Sequence, residues 1–157
     1  MLFYNEYLNK GTTGDYLVPL NVNIIQHAEF LEIIVTGTYD LRDSIDKFSY
    51  LLVPSQLTGI SKVLIDYRDL SGDIQALEKI IYALEIERRY FEYLAAGGQA
   101  LQVAYVGSAP QVKNYRPGLE IIKDSKIPFK LFTSIAEAHK WLCVCPLNAR
   151  NSTDLKK

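Results

Sequence analysis

The sequence contains few of the residues that metal sites, disulfide frameworks and histidine-based catalysis require. It has two cysteines and two histidines among 157 residues. Cys143 and Cys145 are separated by one residue, so a disulfide between them would close a very tight ring, and the pair offers too few ligands for a structural zinc ion. Reduced thiols are the simpler interpretation, and they are typical of a cytoplasmic protein. We therefore expect a cytoplasmic chain with no metal and no cofactor.

Net charge and long apolar runs are also lacking. The chain has 17 basic and 18 acidic side chains and a formal net charge of −1, so no overall field attracts nucleic acid or an anionic membrane. No apolar run approaches the ~20 residues that span a bilayer. Residues 1–10 lack the basic start and apolar run of a secretory signal. We expect no nucleic-acid partner and no membrane span.

The residues that are present are typical of one globular domain. Hydrophobic residues make up 48% of the chain and charged residues 22%, which is far from the composition of disordered segments. A chain of this length can bury a core without metal or disulfide support. The apolar patterns predict a single domain over residues 17–145, preceded by a loose arm at 1–16 and followed by a mobile polar tail at 146–157.

One short apolar run, Val63–Ile65, predicts the central strand of that domain. It is rich in branched side chains, bounded by polar residues and too short for a helix, which is typical of a strand buried on both faces. Asp66, Arg68, Asp69 and Ser71 follow it directly. Because open α/β sheets carry their working residues at strand ends, we take this strand-end loop as the first candidate site.

The remaining patterns predict the other strands and helices. Alternation over 20–26 and 30–36 indicates an antiparallel hairpin. Asp40 is a candidate N-cap for a first helix, whose end is bracketed by Pro54 and Gly59. Further elements are predicted as a helix over 73–96, a strand over 101–106, a short helix over 117–126, a strand over 129–132 and a closing helix over 135–142. The predicted fold is α/β, with a mostly parallel sheet of about five strands that begins with an N-terminal hairpin and about four helices.

The predicted helix over 73–96 has two apolar faces. We assign one face to the sheet; its members are Ile74, Leu77, Ile80, Ile81, Leu84, Phe91 and Ala95. The other face is formed by Tyr82, Ile86, Tyr90 and Tyr93. Tyrosines combine a large apolar area with a polar tip and suit protein interfaces. We expect this second face to be covered by a protein partner or by a second copy of the chain. The alternative is that the N-terminal arm covers it with Phe3, Tyr4 and Tyr7.

Several segments together resemble the STAS domain family, and in particular its SpoIIAA-like branch. They are the N-terminal hairpin, the strand and loop at Val63–Arg68, the strand Val103–Val106 and the closing segment Lys130–Leu142. The resemblance extends over residues 18–143. It implies a STAS-type α/β fold and a non-catalytic binding or regulatory module that acts through protein–protein contact.

The resemblance also implies a candidate phosphorylation site. In anti-sigma-factor antagonists a kinase phosphorylates a serine at the start of the helix after the central strand, and Ser71 corresponds to it by position. The run here is Asp69-Leu70-Ser71-Gly72, whereas the antagonists carry an Asp-Ser-Ser-Gly-like run. A phosphate on Ser71 would lie near a helix N-terminus, which favours negative charge. The alternative is that Ser71 and Asp73 are turn and capping residues.

Three other functions stay open. The SpoIIAA-like resemblance implies a small apolar ligand, held between the long helix and the loop that bears Tyr115 and Arg116. A phosphoacceptor receiver would use Asp66 and Ser108, but the sequence lacks the acidic pair and the lysine that receivers need. An enzyme could be built on the strand-end loop. No motif assigns a catalytic residue, and the two histidines are interpreted as surface or packing residues.

Overall fold

Strands and helices alternate along residues 18–113 and 128–144, which are the residues that the computed structural model describes. The strands are β1 (Asn21–Gln26), β2 (Leu31–Thr38), β3 (Lys62–Asp66), β4 (Leu70–Ser71), β5 (Gln102–Val106) and β6 (Phe129–Phe132). The helices are α1 (Leu41–Thr58), α2 (Ala76–Ala95), α3 (109–113) and α4 (Ile135–Val144). The N-terminal arm, the predicted helix over 117–126, Tyr115, Arg116, Cys145 and the C-terminal tail lie outside the described residues.

The sheet has the order β1-β2-β3-β5-β6, and the short β4 pairs with the end of β2. β1 and β2 form an antiparallel hairpin, while β2, β3, β5 and β6 run parallel. The predicted α/β class, with a hairpin followed by a mostly parallel sheet, is confirmed. β4 was not predicted, because a two-residue strand leaves no periodic pattern in the sequence.

β3 lies at the centre of the sheet and is buried on both faces, as its sequence predicts. Val63 and Ile65 contribute to the cluster formed with α1 and α2. Leu64 points the other way, into the cluster formed with Ala138 and Leu142 of α4. The alternation follows from the pleat of a strand, which sends successive side chains to opposite faces. α1 and α2 therefore cover one face of the sheet, and α4 covers the other.

α1 begins and ends on residues that the sequence indicates. The Asp40 carboxylate accepts a hydrogen bond of 2.8 Å from the backbone N–H of Asp43, and Gly59 closes the helix in a left-handed conformation, with φ 71°. The helix ends at Thr58, between Pro54 and Gly59, as the sequence predicts, and Pro54 lies inside its last turns. Leu52 and Ser55, on either side of this proline, are buried.

The two faces of α2 are reversed relative to the sequence prediction. The face assigned to the sheet is exposed, with 66% of Leu77, 49% of Leu84 and 42% of Phe91 accessible to solvent. The face assigned to a partner lies in the core, where Tyr90 is 1% exposed. Both faces repeat at helical spacing, so periodicity alone does not tell them apart. The buried phenol of Tyr90 has a partner in the core, where its Oη accepts a hydrogen bond of 2.9 Å from the backbone N–H of Leu101.

Candidate functional site

The strand-end loop contains a closed ion pair. The Arg68 side chain donates to both oxygens of Asp66, with Nε 2.9 Å from Oδ1 and Nη2 2.8 Å from Oδ2. The backbone N–H of Arg68 donates to the same Oδ1 at 3.1 Å. Asp69 is exposed and makes no hydrogen bond within the described residues. The structure therefore pairs Asp66 with Arg68, while the charge of Asp69 acts on Arg68 from nearby without a hydrogen bond.

The environment of Asp66 determines its protonation. Burial by itself would raise the pKa of this carboxyl, but the hydrogen bonds and positive charge of Arg68 outweigh burial and hold the pKa below its ordinary value. Asp66 is therefore ionised at neutral pH and already engaged on both of its oxygens. Such a carboxylate is poorly suited to act as a general base or a phosphoacceptor without first breaking the pair.

Ser71 lies on β4, beside the end of β2. Its Oγ donates a hydrogen bond of 2.9 Å to the carbonyl oxygen of Gly37 and lies 3.4 Å from Thr38 Oγ1. The residue is exposed. α2 begins at Ala76 with Gln75 as its N-cap, so Ser71 precedes the helix and does not cap it, and it shares a pocket with Lys79 of the first turn.

Gln111 organises this edge of the sheet, and sequence reasoning missed it. Its Nε2 donates to the carbonyl oxygens of Tyr67 and Leu70 at 3.0 and 3.1 Å. Its Oε1 accepts from the backbone N–H of Ser108 at 2.7 Å. Gln111 thus ties the loop after β3 to the loop after β5. A single glutamine after a predicted loop gives no signal in the sequence that could have revealed this role.

A shallow polar pocket lies at the carboxyl ends of β2, β3 and β5. Its lining residues come from the loop after β3, the start of α2 and α3; they are Leu70, Ser71, Gly72, Asp73, Ile74, Lys79 and Gln111. Of the predicted strand-end loop, Ser71 lines this pocket, whereas Asp66, Arg68 and Asp69 do not.

A deeper, apolar cavity lies next to this pocket, between the sheet and helices α1 and α2. Its volume is about 120 Å³. Leu70, Ile74 and Lys79 line both the cavity and the polar pocket. Most of the wall is apolar and includes Phe48, Ile65 and Ile86. The cavity was not predicted, because it forms only where three separate elements meet.

Tyr39 contributes a buried hydroxyl to the cavity wall. Within the described residues this hydroxyl has no hydrogen-bond partner. Burial, together with the nearby charges of Glu78 and Asp40, raises the pKa of Tyr39 to about 12. The phenol is therefore neutral at physiological pH and can donate a hydrogen bond.

The exposed face of α2 forms the other notable surface. We call Leu77, Ile80, Ile81, Leu84 and Phe91 the α2 outer face; each of these side chains is exposed. The tyrosine face that the sequence analysis assigned to a partner is occupied by the protein's own core. Ile86, Tyr90 and Tyr93 are buried, and Tyr82 is packed against the same cluster. Those side chains are not available to a partner in this structure.

The two histidines make contacts within the protein. His27 Nε2 lies 2.7 Å from Glu32 Oε2, and the ring of His139 packs against Phe30, with ring centroids 5.0 Å apart. In the described ranges, no cluster of three or more His, Cys, Asp or Glu side chains could hold a metal ion. No helix in the same ranges is long and apolar enough to cross a membrane.

Comparison with solved structures identifies the fold class. The chain superposes on an anti-sigma factor antagonist from Mycobacterium paratuberculosis with a TM-score of 0.54 and 12% identity, covering 80% of this chain and 95% of that one. The fold is therefore STAS/SpoIIAA-like, as the sequence resemblance predicts. An uncharacterised protein from Shewanella loihica PV-4 with a SpoIIAA-like fold is similar at a TM-score of 0.49 and 21% identity, covering 84% of this chain and all of that one. No protein-family model and no curated protein sequence matches this chain.

Proposed function

We propose that this protein is a non-catalytic regulatory module of the cytoplasm that binds a protein partner through the α2 outer face. The observation that carries the proposal is the exposure of five large apolar side chains on one face of a 20-residue helix. Contiguous exposed apolar surface of this kind is typical of interaction sites. An amphipathic helix face offers a partner anchors at successive helical turns.

Two further observations support a binding role over catalysis. The carboxylate of the strand-end loop is paired with Arg68 on both oxygens, which favours a structural role for the loop. The fold is shared with an anti-sigma factor antagonist. The STAS resemblance implies that such modules act by docking on other proteins.

The outer face is tested by replacing its two most exposed leucines with charged residues. We expect Leu77→Glu with Leu84→Glu to abolish partner capture from extract of the protein's own host, because two carboxylates would be desolvated in the interface. If the partner is a second copy of the chain, the double variant should also lose self-association. Sedimentation measured over a range of protein concentrations would show this loss. The free energy of unfolding should change by no more than about 0.5 kcal/mol, since both residues lie on the surface.

Leu57→Glu is the matched control. Leu57 is 81% exposed on α1, outside the outer face, and its substitution adds a charge of the same kind. We expect this variant to bind as the unmodified protein does. If the double variant captured the partner as well as the unmodified protein does and had the same mass in solution, the assignment of the outer face would be contradicted.

We also propose that phosphorylation of Ser71 regulates the module. Ser71 is exposed and lies in the polar pocket beside Lys79, whose positive charge favours a phosphate, while Asp73 in the same pocket opposes it. Phosphorylation would also remove the hydrogen bond from Ser71 to Gly37. Incubation with host extract and ATP should add one phosphoryl group at Ser71, seen by mass analysis. A Ser71→Ala variant that gains the same mass would contradict the site.

A further inference from the structure

We propose that the apolar cavity binds a small apolar monocarboxylate, with its hydrocarbon body among the core side chains and its carboxylate at Lys79. The site is separate from the α2 outer face, because it lies on the buried side of the same helix. The proposal rests on the size and lining of the cavity, on the buried hydroxyl of Tyr39 and on the side chain of Lys79.

The cavity has the size and character of a small-ligand site. Its volume of about 120 Å³ is comparable to that of an engineered protein cavity of ≈ 150 Å³ that binds benzene. A single ring or a short alkyl chain therefore fits. The wall is mostly aliphatic and aromatic, with Val22, Leu51 and Leu131 among its members, so burial of a hydrocarbon body is favourable by about 25 cal/mol per Å².

The polar groups in the wall complement an anionic head. Lys79 lines both the cavity and the polar pocket, and its ammonium group makes no ion pair with any residue that the structure describes. Lys47, the other lysine of the wall, is engaged by Asp43, with Nζ 3.0 Å from Oδ1. Asp73 in the polar pocket accepts a hydrogen bond of 3.3 Å from Gln75 Nε2. Lys79 is therefore the cation available to a bound carboxylate.

Tyr39 supplies a neutral donor in the same wall. Buried hydroxyl groups in proteins almost always have a hydrogen-bond partner, and the Tyr39 hydroxyl lacks one within the described residues. An acceptor oxygen on a ligand would satisfy it. A head group that accepts hydrogen bonds and carries a negative charge matches Tyr39 and Lys79 together, with the carboxylates of Glu78 and Asp40 near Tyr39 opposing the charge, whereas a purely apolar ligand would match neither.

Hexanoate and hexan-1-ol are suitable probes, because they share a hydrocarbon chain and differ in the charge of the head. Binding is followed by protein-observed NMR of the isoleucine and leucine methyl groups, which reports contact with Ile65, Ile86 and Leu131. We expect hexanoate to bind at least fivefold more tightly than hexan-1-ol. We expect Lys79→Gln to weaken the binding of hexanoate about tenfold, which corresponds to about 1.4 kcal/mol. The same variant should change the affinity for hexan-1-ol by no more than about twofold.

Three variants distinguish binding in the cavity from binding elsewhere on the protein. Lys130→Gln removes the same charge from β6 at a position next to Leu131 but on the opposite face of the strand, and it should leave both probes unchanged. Tyr39→Phe should weaken the binding of both probes, since both head groups accept hydrogen bonds. Ala83→Leu fills the cavity from α2 and should abolish binding of both; retained folding is checked by circular dichroism.

The proposal is overturned if neither probe shifts the methyl signals at millimolar concentration. It is also overturned if hexanoate binds equally well to the Lys79→Gln and Lys130→Gln variants. Binding that survives Ala83→Leu in a folded protein would place the probes on the surface rather than in the cavity.

Discussion

At the scale of single residues, Asp66 illustrates how a carboxylate at a strand end can serve structure. It is buried, and its three hydrogen bonds from Arg68 close the turn after β3. Bidentate pairing of a guanidinium with a carboxylate is among the stronger polar contacts in proteins. The sequence singled out both residues but could not show that they bind each other.

We expect Asp66→Asn to lower the free energy of unfolding at neutral pH by about 1–3 kcal/mol, because the charge-assisted hydrogen bonds are lost. The pKa of Asp66 is lowered in the folded state, so its carboxylate stabilises the fold above the ordinary aspartate pKa of about 3.9. That contribution is lost as the pH falls through the folded pKa. Urea titrations between about pH 7 and about pH 3 should show the difference between the two proteins shrinking towards acid.

Asp69→Asn is the control for this measurement. Asp69 is exposed and lies further along the same loop, so its substitution removes the same charge without a hydrogen bond to lose. We expect its effect to stay within about 0.5 kcal/mol. An Asp66→Asn variant as stable as the Asp69→Asn variant at neutral pH would contradict the structural role of the pair.

At the scale of elements, α2 has two apolar faces with different surroundings. Tyr90 and Tyr93 contribute to the cluster under the helix, while Leu77 and Leu84 face solvent. A helix that buries only one face usually has charged residues on the other. α2 departs from that pattern between Leu77 and Phe91, and the departure is why we assign a partner to the outer face.

β3 has two buried faces that belong to different clusters, and this arrangement gives a testable consequence. We expect Leu64→Ala and Ile65→Ala each to lower the free energy of unfolding by about 2–4 kcal/mol, because Leu64→Ala leaves a cavity in a packed layer and Ile65→Ala enlarges the cavity that it lines. Both variants should still unfold in one transition, since the two layers share the same strand. The measurement is urea unfolding followed by far-UV circular dichroism and by fluorescence of Trp141, which packs against the α4 cluster.

The control is Val53→Ala on α1, where half of the side chain is exposed. We expect a change of no more than about 0.5 kcal/mol. If Leu64→Ala shifted the Trp141 signal and left the circular dichroism transition unchanged, the two layers would unfold separately, contrary to this expectation.

At the scale of the whole molecule, α2 separates the two proposed binding sites. Its buried side lines the apolar cavity with Ala83 and Ile86, and its outer face is open to a partner. The polar pocket with Ser71 adjoins the cavity through Lys79. The proposed phosphorylation site, ligand site and partner surface therefore all meet at the N-terminal half of one helix.

The sequence by itself determined the features that depend on local patterns. Alternation in β1 and β2, the apolar run of β3, and the caps of α1 at Asp40 and Gly59 are all found where the sequence predicts them. Each is decided by neighbours along the chain: the strand pleat, the orphan N–H groups of a helix start and the left-handed residue at a helix end. Together with the order of the elements, they specify the α/β fold.

Only the tertiary structure decided which surfaces are open. Tyr90 is buried in the core, where it accepts a hydrogen bond from Leu101, and the role of Gln111 depends on carbonyl groups more than 40 residues away in the chain. The cavity with Tyr39 and Lys79 needs the sheet, α1 and α2 at once. Contacts between residues distant in sequence leave no periodic trace along the chain, so the candidate binding sites became visible only when the elements were packed together.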